Sequence, residues 1–416
     1  MRLRVMVLSA WVTALGCGDP EPSAPRDGGV DAGPADTSVC RGLGPALGLV
    51  RLAQGAAGDG VSLAVDGQGD PAVAYFDANR VRFQRWDRCA AAWGAPVAVD
   101  TVTEGAAEGR ELALAYDPTG DRFAVVYLRV EPLTAEGRGR TVRLAVSRDG
   151  GLSFGAPQQI SRHEVSAHPA AFNDAYSPAV AFVGHEPVAA FLQRGDANAV
   201  IYWANQGATY AALPVEGPVR LSSLALRVDA AGAPGLAYWT LEDDVNSVAW
   251  FARPDAAPVR VIESNQVDNE APALDLGFSG DDPVLGVLLR RAEEGAVGAW
   301  VVRGANAGAS FGAPVRMPQD GGDALGGALA LSVRGPLTAV AVTHRGGVEP
   351  MGACRGPKLY RSANGLGFVC APLSADALVG ESVTVRHDSA NRVHLAFRAP
   401  PSTLGREGLY YGLVAP

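Results

Sequence analysis

Arg129, Arg194, Arg291 (or its neighbour Arg290), Arg345 and Arg398 recur along the chain, each just past an apolar stretch. A guanidinium is a planar fork of donors that matches the oxygens of a carboxylate, sulfate or phosphate. Five of them gathered at one mouth would bind an acidic ligand. The competing reading is ordinary strand-end solvation, because the chain has one lysine, Lys358, and arginine is its default cation. Other reactive sets are weaker. His163, Glu164, His168 and Asp174 share the 161–177 stretch, but no helical spacing orients them on a metal, so they read as solvated loop residues. Glu242-Asp243-Asp244 lacks the oxygen-rich spacing of a calcium loop. Asp77, Glu164, Asp174 and Glu270 are the carboxylates from which a glycosidase pair would have to be drawn. There is no GxGxxG after a strand and no P-loop, so no cofactor is expected.

The elements that must position these residues are repeated hairpins. The run Val61–Asp66, a glycine turn and Pro71–Tyr75 form one unit, and it returns at Leu112–Leu128, Pro178–Leu192, Leu224–Tyr238, Pro272–Leu288, Ala328–Val342 and Val383–Phe397. Apolar alternation split by Gly, Asp, Asn or Pro predicts antiparallel strands. A second pair of strands follows, as in Val81–Trp86 with Pro96–Val99, and Ala-Pro marks the outer strand at Ala95-Pro96, Ala156-Pro157, Ala257-Pro258, Ala313-Pro314 and Ala371-Pro372. Four strands per unit, repeated at a spacing of roughly 50 residues, predict an all-β fold, a seven-bladed β-propeller over 44–416. A six-bladed ring is the alternative. The seventh hairpin is followed by one clear strand, Gly408–Val414, so Pro45–Leu52 is expected to supply its outer strand and close the ring.

Composition agrees with this class. The chain has 416 residues, 48% hydrophobic and 19% charged, with 51 Gly and 29 Pro, too many for a helical protein of this length. Its formal charge of −9 argues against a nucleic-acid partner, which requires a basic footprint.

The N-terminus reads as an address. Arg2 and Arg4 precede the short apolar run Val5–Leu15, too short to span a bilayer, and Ala14-Leu15-Gly16-Cys17 follows. Small residues before a cysteine resemble the bacterial lipobox, in which the cysteine is lipidated. Ala14 stands where that pattern prefers Leu, which leaves ordinary secretory cleavage open. The expected division is a signal peptide at 1–16, a lipidated Cys17 heading a disordered tether over 17–43, and the propeller. The tether is rich in Pro, Gly and Asp and cannot bury enough surface to fold. Loss of the signal leaves 33 basic against 44 acidic residues, a net −11. The expected location is the cell envelope, on the outer membrane if the cell has one, as a monomer. Cys40, Cys89, Cys354 and Cys370 then form two disulfides. Three pairings satisfy the sequence. The predicted ring favours Cys40–Cys89, stapling the closure, and Cys354–Cys370, tying the sixth blade.

Ser147-Arg148-Asp149-Gly150-Gly151-Leu152-Ser153-Phe154 resembles the Asp-box of sialidase-like propellers. Ser147, Asp149, Gly151 and Phe154 fill its pattern positions. A degraded copy has Asn306, Gly308 and Phe311, and a shorter one runs from Ser362 to Phe368. The resemblance implies structural turns. It does not extend to the chemistry: catalytic members use three arginines, a Tyr–Glu pair and an Asp, with an early Phe-Arg-Ile-Pro motif. Phe397-Arg398-Ala399-Pro400 is similar but lies in the last blade. The expectation is therefore a non-enzymatic surface lipoprotein, a binding or scaffolding propeller with an anionic glycan or protein partner. A glycoside hydrolase or lectin is the alternative.

Overall fold

The computed structural model describes residues 44–416 apart from 55–58, 102–110, 131–139, 162–174, 195–198, 206–210, 213–222, 242–245, 255, 266–272, 291–296, 319–324, 345–357, 372–381 and 400–406. The described residues form strands and turns, with one short 3-10 turn at Asn306–Gly308. The pattern of side chains dictates the strands. In Arg80–Asp87, Val81 and Phe83 are fully buried while Arg82 between them stays partly exposed, the period of two that a sheet imposes. Pro71–Asp77 is instead buried almost throughout, because a sheet neighbour covers both its faces.

Among the described residues the strands assemble into seven sheets. The first blade contains Asp59–Val65, Pro71–Asp77 and Arg80–Asp87, with outer pieces Ala92–Trp93 and Val97–Thr101. The second contains Leu112–Asp117, Arg122–Val130, Arg140–Ser147 and Gln158–Gln159; the third Ala175–Val183, Glu186–Arg194, Ala199–Asn205 and Ala211–Ala212. The fourth contains Ala225–Val228, Pro234–Leu241, Asn246–Ala252 and Val259–Asn265; the fifth Ala273–Ser279, Asp282–Arg290, Val297–Ala305, Ser310–Phe311 and Val315–Arg316. The sixth contains Leu325–Arg334, Leu337–His344, Lys358–Ser362 and Val369–Ala371; the seventh Ser382–His387, Val393–Ala399 and Gly408–Val414.

The first strands pack on one another in cyclic order, and that of the seventh blade returns to that of the first. This closed ring makes the fold a β-propeller. Its outer closing strand is Gly48–Gln54, antiparallel to Gly408–Val414 with Gly48 opposite Leu413 and a bulge between Arg51 and Ala53. The closing strand thus comes from the N-terminal side of the ring, and no open edge is left between the last blade and the first.

One marker of the outer strands needs correction. Ala-Pro precedes the outer strand in the first, second, fourth and fifth blades, but in the sixth Ala371 itself belongs to the strand Val369–Ala371. A proline has no N–H for the ladder, so it can terminate an outer strand as readily as start one.

The core is divided among the seams. Phe83, Phe123 and Tyr127 bind the first blade to the second; Trp239, Phe251 and Leu285 bind the fourth to the fifth. At the closing seam Tyr75 and Val73 meet Tyr411 and Leu413, and Trp93 stacks edge-on against Tyr411 at 5.0 Å. Each large side chain buried there contributes about 1.5–3 kcal/mol.

Candidate functional site

Three arrangements of polar residues stand out: the ends of the second strands, the turns at the opposite rim, and the inner wall around the axis. At the second-strand ends, Arg129 pairs opposite Thr141, Arg194 opposite Ala199, and Arg398 opposite Leu409. In the fifth blade the last strand residue is Arg290, opposite Val297. Arg291 and Arg345 lie outside the described residues, as do Cys17, Cys40, Cys354, His163, Glu164, His168, Asp174, Glu270 and Glu242-Asp243-Asp244. Arg129 has a partner: its Nη1 lies 3.6 Å from Asp100 Oδ2, which also accepts the Tyr127 hydroxyl at 2.5 Å. Burial and that bond raise the Tyr127 pKa far above the usual phenol range.

At the turn rim the first strands end in aspartates wired alike. Asp66 Oδ1 accepts the amides of Gln68 and Asp70, both at 2.8 Å; Asp229 Oδ1 accepts those of Ala231 and Ala233; Asp388 Oδ1 accepts those of Ala390 and Arg392. A carboxylate that gathers two amides holds the turn shut. Arginines then lock each turn. Arg122 Nη2 is 2.6 Å from Asp117, Arg253 Nη1 2.8 Å from Asp229, and Arg392 Nε 2.6 Å from Asp388. From the third strands, arginines cross to the next blade. Arg85 donates to Gly150 O, Arg253 to Asp281 O at 3.0 Å, Arg303 to Thr338 Oγ1 at 2.6 Å, and Arg361 to Ala415 O. Sequence reading missed these latches. Their signal is an Arg near the end of the third strand in the first, fourth, fifth and sixth blades.

The Ser147–Phe154 turn belongs to this rim. Gly151 N donates to Ser147 Oγ at 2.8 Å, Ser153 N to Asp149 Oδ1 at 3.0 Å and Ser153 Oγ to Asp149 Oδ2 at 2.5 Å. Burial opposes the charge on Asp149, yet the bonds from Ser153 and Ser147 hold its pKa below the usual range. Gly151 has φ 87°, and a Cβ there would overlap the Phe83 ring of the first blade. In the fifth blade Gly308 has φ 95° and abuts Phe251 in the same way. These glycines therefore serve the seam as well as the turn. At the degraded copy Asp282 Oδ1 takes the Ala307 amide at 2.9 Å, as the Asp121 carbonyl takes the matching Gly150 amide at 3.0 Å in the full one. A cavity of about 370 Å³ beside the turn is lined by Leu144, Val146, Arg148, Asp149, Ser153 and Gln158. With both Asp149 oxygens already engaged, exposed Arg148 is the charged group it offers.

The axial wall has a different problem. Each first strand is paired on one side only, so amides on its inner edge need other acceptors. Polar side chains of neighbouring blades supply them. Leu114 N donates to Ser62 Oγ at 3.0 Å, Leu331 N to Asp275 Oδ2 at 2.9 Å, His387 N to Ser332 Oγ at 2.8 Å, and Ser177 N to Glu111. Arg227 of the fourth blade holds Asp275 of the fifth at 2.8 Å. Behind the closing seam, His394 is fully buried, 3.2 Å from Asp388 and 2.8 Å from the Tyr411 hydroxyl. Burial lowers the pKa of His394, and that of His387, to about 4. Cys89 lies in the turn after the first blade's third strand, and Cys370 on the sixth blade's outer strand opposite Tyr360. No group of three His, Cys, Asp or Glu suited to a metal ion occurs among the described residues.

No family model and no curated protein matches the chain. Among solved structures it is similar to the fucose-specific lectin from Aleuria aurantia, with 10% identity, 76% of this chain and 97% of the lectin covered, and a TM-score of 0.46. It is also similar to an α-L-arabinofuranosidase from Fusarium graminearum, with 8% identity, 89% and 98% coverage and a TM-score of 0.49. A third is the intramolecular trans-sialidase from Ruminococcus gnavus, with 10% identity, 85% and 94% coverage and a TM-score of 0.42. At such identities the likeness speaks to fold alone.

Proposed function

We propose that the chain is an exported, lipid-anchored binding protein whose propeller takes an acidic ligand, an anionic glycan, at the rim formed by its second-strand ends. Register carries this reading: Arg129, Arg194 and Arg398, from three blades, each occupy the last or penultimate position of the second strand. Such a ring concentrates positive potential at one mouth despite the net charge of −11 on the exported chain. Arg194 and Arg398 sample blades well apart in the ring, so they are the arms to test. A glycan array probed with wild type and with the Arg194→Ala/Arg398→Ala double variant makes the test. Acidic glycans bound by the wild type and lost in a variant of unchanged melting temperature are expected. Unchanged binding would overturn the rim, and turnover of fluorogenic glycosides would replace binding with catalysis.

The anchor is part of the proposal. Arg2, Arg4, the run Val5–Leu15 and Cys17 support it, as does the Pro/Gly/Asp-rich stretch after Cys17. Labelling with a palmitate analogue is expected to tag the wild type and miss Cys17→Ser. Two disulfides, Cys40–Cys89 and Cys354–Cys370, complete the reading. In its support, Cys89 and Cys370 are each disulfide-bonded cysteines. Non-reducing peptide mapping that joins Cys40 to Cys354 or Cys370 would refute the pairing.

A further inference from the structure

The inner strands of the fourth and seventh blades carry arginines at the same register position. Arg227 stands opposite Gly235 and Arg386 opposite His394, each one residue before the last paired position of its strand. Each folds one N–H back onto the preceding carbonyl, Arg227 Nη1 to Leu226 O at 2.9 Å and Arg386 Nη1 to Val385 O at 2.7 Å. Their surroundings then diverge. Arg227 Nη2 donates to Asp275 Oδ1 at 2.8 Å. Asp275 is already engaged on both oxygens, because the same oxygen accepts the Leu276 amide at 2.8 Å and its other oxygen the Leu331 amide at 2.9 Å. Arg386 gains only a long contact to Leu331 O at 3.5 Å. Among the described residues its Nε and Nη2 have no protein acceptor.

Asp275 is thus bonded to Arg227 and acts on Arg386 only through its charge. Burial, then the charge of Arg227, pulls the pKa of Arg386 down to about 9 against the attraction of Asp275, so it is a cation at neutral pH. A half-buried cation of this kind gains most from an anion that brings its own acceptors.

We propose that Arg386, with Arg227 as the second charge, forms a binding site for a small oxyanion in the axial channel. The Nε and Nη2 donors of Arg386 match two oxygens of a carboxylate, sulfate or phosphate. The site lies towards the turn end of the first strands, whereas the strand-end rim lies at the opposite end of the hairpins, so it is independent of the rim reading.

The test titrates the purified mature chain with sodium sulfate, sodium phosphate and sodium glucuronate. Sodium chloride holds the ionic strength constant, and heat of binding and melting temperature are read. At least one of the three is expected to bind saturably, and Arg386→Gln to weaken it roughly tenfold or more. The anion that binds most tightly tells an inorganic ligand from a sugar acid. Asp275→Asn keeps an oxygen for the Leu331 amide and removes the competing charge, so it is expected to tighten binding several-fold. A wild type showing only the linear, unsaturable effect of excluded salts overturns the site. Equal saturation in Arg386→Gln, or no tightening in Asp275→Asn, does so as well. Loss in Arg386→Gln with retention in the Arg194→Ala/Arg398→Ala protein separates this site from the rim.

Discussion

At the turn rim Arg253 reaches Asp229 and the carbonyls of Ala233, Asp281 and Ala307, whereas on the axial wall Arg386 reaches, among the described residues, two carbonyls and no carboxylate. The rim repeats its device in blade after blade, so any one turn is backed by its neighbours and by water. The wall uses single copies: one Asp275 serves Arg227, Leu276 and Leu331 together. The same two residue types therefore give redundancy in one place and dependence in the other. Arginine at a recurring position is not in itself a binding site, because the count of acceptors within reach decides whether a guanidinium is spent or available.

The strongest way to break this comparison is Asp275→Ala. It leaves Arg227 without its carboxylate and the Leu331 amide without its acceptor, and is expected to cost about 3–5 kcal/mol in urea unfolding. A loss no larger than that of a rim variant would show that the wall is as redundant as the rim. Next is acid. His387 and His394 titrate near 4 in the fold against 6.5 when unfolded, so the unfolded chain takes up their protons first. Their contribution is complete above about pH 6.5 and is lost as pH falls towards 4, by a few kcal/mol in all. Melting temperature recorded between pH 8 and 4 checks the sign, and in His387→Gln the fall should be shallower. Asp388, held below the usual carboxylate range by its bonds from Arg392 and His394 despite burial, adds a loss of the same sign at lower pH.

Rim changes are expected to be smaller. Arg85→Gln removes the bond to Gly150 O and the pairing with Asp66, and is expected to cost about 1–2 kcal/mol. Arg334→Ala loses one exposed bond to Ser389 O at 3.3 Å, and its unfolding midpoint should move by less than about 0.5 kcal/mol. If Arg334→Ala costs as much as Arg85→Gln, the seam is held by total charge rather than by particular bonds, and a salt series would show it.

Much of the architecture was legible because it is local. The alternation in Arg80–Asp87 names the faces of that strand, and the closing strand follows from an outer strand missing after Gly408–Val414. The Ser147–Phe154 turn was readable because its bonds span at most four residues. The bond from the Ala307 amide to Asp282 was not, because Asp282 belongs to another hairpin. Arg85 and Gly150 are 65 residues apart, and no spacing rule connects them. The axial wall did leave a trace: Arg227, Asp275 and Arg386 are charged residues inside otherwise apolar inner strands.

By itself the sequence determined the repeat, the strand faces and the acidic balance, because each depends on the order and type of neighbouring residues. Tertiary structure alone decided which polar groups meet. Arg227 and Asp275 come together because the fourth and fifth inner strands are adjacent in the ring, and Arg386 is left with donors to spare because the seventh brings no second carboxylate. Sequence periodicity specifies which side of a strand faces its neighbour. The neighbour itself, and with it the acceptor of every inner-edge amide, is set when the ring closes.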